Sequence, residues 1–179
     1  MTDSLSFAGR FDPDRLADWL LTGAGDSPVG EPADWLTVTD VLTTSIYAAL
    51  AEGSDWRRYV GAYSLALAAM EQAAARPPHE VVVARSAMTE VLARSVPVDT
   101  LPDEWRPERV AEVFFQRLPM PLAGATALVE ARERPPLPDL IRLRQLKQML
   151  NPLRTLTAFL PPETADRLRP WLELRDRLP

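Results

Sequence analysis

Apolar positions recur along most of this chain at intervals of three and four residues. Trp56, Tyr59, Val60, Tyr63, Leu67, Met70 and Ala74 fall on one stripe, the spacing of a helix with a buried face. Ala62, Ala66, Ala69 and Ala73 beside that stripe would let a neighbouring helix approach closely, so this segment is expected to be a central helix. The stretch before it reads as a helix that opens at Thr37, where Thr37 and Asp40 have capping-box spacing, and stops at Gly53. Ser54 or Asp55 then caps the next helix, and Gly53-Ser54-Asp55 makes the tight turn of an antiparallel hairpin.

Later stripes follow the same period: Val81-Ala84-Met88-Val91, Val110-Phe114-Leu118, and a face of Leu140, Ile141, Leu143, Leu146 and Leu150 opposite Arg144, Lys147 and Gln148. The β-branched run Val81-Val82-Val83 lies inside a helical pattern and is read as helix. Pro13, Pro78, Pro107, Pro121, Pro138, Pro152, Pro162 and Pro170 each stand where a helix would begin. The first turn tolerates proline because its N–H groups have no partner within the helix. Eighteen prolines therefore signal many helices, not disorder.

The expected architecture is all-α: one domain over residues 1–179, a bundle or array of about nine mostly short, proline-initiated helices. Residues 1–11 are a candidate disordered segment and 22–33 a flexible loop. A tetratricopeptide register anchored on Trp56 puts Gln72 and Arg76 where that repeat needs Ala and Phe, so the array is not that repeat.

Composition narrows the chemistry. With no cysteine, disulfides, thiolate nucleophiles and cysteine-bound zinc are excluded together, and a reducing cytoplasm is the natural setting. The opening MTDSLSFAGRFD lacks a basic, apolar leader pattern, and the apolar stretch from Tyr59 to Met70 is too short to span a bilayer, so no membrane is expected. Nineteen of the twenty basic residues are Arg, which with abundant Ala, Leu, Val and Pro suggests a GC-rich bacterial genome. The net charge of −5 is uneven, because residues 1–55 hold ten acids against two arginines and the remainder is net basic. Such asymmetry suits a polar partner, or two ends of the chain that face each other.

The tetrapeptide Ala-Asp-Trp-Leu occurs at 17–20 and again at 33–36, either side of a glycine-rich run. A phosphate loop needs a strand before its glycines and Lys-Ser/Thr after them; here Asp12 to Leu21 reads as helix, and Glu31 and Asp34 put negative charge where phosphate would sit. The run is therefore a helix exit at Gly23 and Gly25, a loop, and a helix start near Asp34. Trp19 joins a face with Leu16 and Leu20. Both Trp19 and Trp35 bracket the loop, and each reads first as a core residue; because tryptophan is enriched at binding hot spots, the two are also candidate partner contacts.

His79, the single histidine, is expected at the surface of a helix start and excludes zinc and di-iron motifs that need two. Glu130 and Glu133 are read as sharing a helix face, solvated beside Arg132 and Arg134. No cofactor, metal or catalytic set is expected. Arg132, Arg134, Arg142, Arg144, Lys147 and Arg154 make the densest basic stretch, without an aromatic before Phe159, so nucleic acid is not the expected partner. Arg142, Arg144 and Lys147 are instead candidate contacts to an acidic partner, the alternative being that the stretch answers this protein's own acidic N-terminal segment.

The functional expectation is a non-enzymatic interaction module, an adaptor or accessory subunit docking on a larger protein of a bacterial system, effector and defence systems included. The alternative is a helical enzyme or small-molecule-binding protein with an apolar pocket between helices.

Overall fold

In this computed structural model, residues 11–131 and 133–179 are described. Among them are eight α-helices, three short 3-10 turns and no strand. The expectations for residues 1–10 and for Arg132 lie outside the described residues; Phe11, expected in the disordered segment, is buried. The helices cluster into two units, one up to Pro77 and one from Pro78 onward.

The first unit holds α1 (Pro13–Thr22), α2 (Asp34–Glu52) and α3 (Trp56–Gln72). Asp12 caps α1, its carboxylate accepting the Arg15 N–H at 2.9 Å, and Pro13 follows in the first turn. Gly23, at φ +67°, ends α1 with its N–H on the Trp19 carbonyl. Gly53, also at φ +67°, ends α2, and α3 returns antiparallel after Ser54-Asp55. Val38, Leu42 and Ile46 of α2 and Val60, Leu67 and Met70 of α3 are fully or almost fully buried, as the stripe requires. Helix α1 lies across both and contributes Leu16 and Ala17 to the core.

Two local expectations change. Helix α2 opens at Asp34, not Thr37: the Asp34 carboxylate accepts N–H groups from Gly30 at 2.8 Å and Glu31 at 3.1 Å, which folds the loop back onto the helix start. Ala74, the last member of the stripe, lies beyond α3 and is exposed, at φ +52°.

The second unit holds α4 (Pro78–Ser95), α5 (Pro107–Gln116), α6 (Leu122–Glu130), α7 (Leu137–Leu156) and α8 (Pro162–Arg175). Helix α7 is its axis, packed on α4, α5 and α8. Leu146, Met149, Leu150, Leu153 and Leu156 are fully buried in one cluster with Phe114 and Leu168, and Trp171 meets Phe114 edge-on at 5.9 Å between ring centroids. Val81, Val82 and Val83 lie within α4, as read.

Pro152 and Pro170 do not start helices; they lie inside α7 and α8. Each removes a helix N–H, yet the buried residues on both sides, Leu150 and Leu153 in one case and Leu168 and Trp171 in the other, keep the helix continuous. Ile141 leaves the expected face and is 46% exposed, about 100° round the helix from Leu140 and away from Leu143 and Leu146.

Candidate functional site

The duplicated tetrapeptide brings its two tryptophans together. Trp19 on α1 and Trp35 on the first turn of α2 are half-buried, with ring centroids 6.2 Å apart and planes tilted by 32°. The loop joining them is held by its own polar groups: the Ser27 hydroxyl bonds both the N–H and the carbonyl of Val29, and Asp34 gathers the Gly30 and Glu31 N–H groups. Between α1 and this loop is a cleft of about 390 Å³, lined by Phe11, Leu16 and Trp19 and edged by Asp12, Arg15 and Asp26.

Elsewhere on α1 is a charged node that the sequence did not announce. The Arg58 guanidinium donates to the Asp14 carboxylate at 2.9 Å, the Asp14 carbonyl at 3.0 Å and the Asp18 carboxylate at 2.7 Å. The Tyr59 hydroxyl donates to the same Asp14 oxygen at 2.6 Å. That hydrogen bond, with partial burial, pushes the Tyr59 phenol above its ordinary range, and the Asp18 hydrogen bond does the same for Arg58. Asp14 and Asp18 are one helical turn apart, but that they face Arg58 depends on how α1 crosses α3, which spacing alone does not encode.

The basic stretch does not form one surface. Arg142 points to Asp139, 3.4 Å away, at the start of α7. Arg144 is about 200° further round the helix. Lys147 is half-buried and donates to the Leu178 carbonyl at 2.8 Å, so its charge closes the end of the unit. Arg144 instead joins Arg134 and Arg177 around a second cleft of about 380 Å³, whose apolar lining comes from Leu128, Val129, Leu140 and Leu143. Arg177 also reaches Glu130 at 3.4 Å. Glu130 ends α6 and Glu133 lies beyond it, so the two carboxylates do not share a helix face as expected. Arg177 was missed because it is far from the basic stretch in sequence.

His79 is half-buried at the second position of α4, its Nε2 3.1 Å from the Gln148 side-chain oxygen. Phe114 of the Val110-Phe114-Leu118 stripe is fully buried against Phe115 and Trp171. Among the described residues no three His, Cys, Asp or Glu side chains are grouped to hold a metal ion, and no helix is long and apolar enough to cross a membrane.

The described residues form an all-helical fold, with one ligand-sized cleft beside Trp19 and another on α7. Comparisons with family models, curated proteins and solved structures find no match for the chain.

Proposed function

We propose that this chain is a non-catalytic helical interaction module, an adaptor or accessory subunit that docks on a larger protein. The observation that carries the reading is the Trp19–Trp35 pair: two large rings with centroids 6.2 Å apart, half-buried beside an internally braced loop. Rigid aromatic anchors lose little conformational entropy on binding and dominate interface energies. The same proposal places the chain in a reducing cytoplasm, since it has no cysteine to oxidise, and in a bacterial assembly, effector and defence systems included.

Photo-crosslinking tests it. A photoreactive amino acid at exposed Ala33, two residues before Trp35, is expected to trap one dominant protein in the source organism. The adduct is expected to vanish in Trp19→Ala or Trp35→Ala variants that keep their helical circular dichroism. The same residue at exposed Thr44 is the control. Identical adduct patterns from both positions would end the proposal.

A small-molecule reading has one observation in its favour. The cleft beside Trp19, about 390 Å³, has the size of ligand sites, which run from roughly 300 to 1,000 Å³. A compound that raises the melting temperature of the native chain and not of Trp19→Ala would favour it over the adaptor.

A further inference from the structure

We infer that the arginine-rimmed cleft on α7 is a docking groove for an acidic amphipathic helix of a partner protein. This deepens the interaction-module reading and rests on it. Five large apolar side chains are exposed among the described residues, and the two in the second unit, Leu137 at 68% and Ile141 at 46%, are both on α7. With Arg144 they stand at i, i+4 and i+7, which is one stripe on a helix surface. That stripe borders Leu140 and Leu143, the apolar lining that α7 gives the cleft. The exposed stripe therefore neighbours the nearly buried cleft floor on the helix surface. It extends about 10 Å along the axis from Leu137 to Arg144, the length of nearly two helical turns.

The charge around this surface selects the occupant. Arg134 and Arg144 are exposed and neither has an acidic partner within ion-pair distance among the described residues. Arg177 has only Glu130, at 3.4 Å with both side chains at least half exposed, a pair that solvent weakens. Glu133 is the acidic side chain lining the cleft against these three arginines. A helix with leucine-like residues at i, i+4 and i+7 would lay them on Leu137, Ile141 and the cleft floor, and its flanking carboxylates would meet the guanidinium groups. A nucleic acid would use the arginines but would leave the apolar stripe in water.

The probe is a capped, fluorescent peptide of about 18 residues, long enough to hold a helix, with Leu at that spacing and Glu on both flanks. Fluorescence anisotropy with the full chain is expected to show micromolar binding that weakens about tenfold between low and physiological salt. Arg144→Glu is expected to weaken it at least about tenfold, Ile141→Ser at least about threefold, with melting temperatures unchanged because both side chains are exposed. Arg142→Glu, across the helix and paired with Asp139, is expected to leave binding unchanged. The Lys-for-Glu version of the peptide is expected not to bind. Should Arg144→Glu destabilise the chain, Ile141→Ser and the salt series still decide. No binding of the acidic peptide, equal binding of the basic one, equal loss with Arg142→Glu, or an oligonucleotide that displaces the peptide at equal concentration would each overturn the assignment. So would a homodimer in sedimentation that Ile141→Ser dissolves. If the peptide fails while the Ala33 adduct forms, the groove is wrong and the module stands; if the peptide binds without that adduct, the groove stands and the Trp19–Trp35 pair is not the module's anchor.

Discussion

At the residue scale, the node of Arg58, Tyr59, Asp14 and Asp18 has a pH response set by which group holds the proton. Asp14 accepts the phenol hydrogen, so folding favours the protonated phenol and raises its pKa above the unfolded value. Its contribution to stability is therefore complete below about pH 10, the ordinary phenol value, and is lost as pH rises through the higher folded-state value. A Tyr59→Phe variant is expected to lose part of the fall in melting temperature that the unmodified chain shows above about pH 10. Thr89 presents the opposite case: it is fully buried on α4 and its hydroxyl has no hydrogen-bond partner among the described residues. Removing such a group relieves a desolvation cost of about 1 to 3 kcal/mol, so Thr89→Val is expected to raise the urea midpoint at constant slope. Neither role stood out in the sequence, where Tyr59 read as part of an apolar stripe and the stripe Val81-Ala84-Met88-Val91 passed Thr89 by. Their roles come from neighbours distant in the chain or from the depth of the helix face.

At the element scale, helix faces were legible and helix ends less so. The stripe from Trp56 to Met70 was readable because burial imposes the same period on every turn. Gly23 and Gly53 were readable as stops because a left-handed residue there favours glycine. The end of α3 was not, because that left-handed position holds Ala74 at φ +52°, with the Ala75 N–H bonding back to the Met70 carbonyl. Ala74→Gly is expected to stabilise the chain by about 0.5 to 1 kcal/mol, read as a higher melting temperature. Proline misleads in the other direction: Pro13 and Pro162 begin helices while Pro152 and Pro170 do not, and packing of the flanking leucines makes the difference. For the candidate sites, the sequence marked Trp19, Trp35 and Arg144 without their partners. The loop between the tryptophans had to close before the rings could meet, and rotation along α7 separates Arg142 from Arg144 although they are two residues apart.

At the scale of the molecule, the boundary between the two units falls at Pro77-Pro78, a pair the sequence offered only as a helix start. Up to Pro77 the chain holds eleven acids and five arginines, a net −6, whereas from Pro78 onward fourteen acids face fifteen bases. The charge asymmetry seen along the sequence is thus a property of the first unit. The second unit has its own buried cluster, running from Val82 to Leu178. Residues 78–179 expressed alone are therefore expected to give a helical spectrum and a cooperative melt; a gradual loss of signal would show that this cluster does not suffice. Lys147 carries the one side-chain amine in the chain, and the Leu178 carbonyl engages it at 2.8 Å. An acylating reagent therefore meets this amine half-buried and already engaged. Lys147 is expected to be modified more slowly in the folded chain than in urea, and the ratio of the two rates reports how firmly the turn after α8 is held, without any probe having to be introduced.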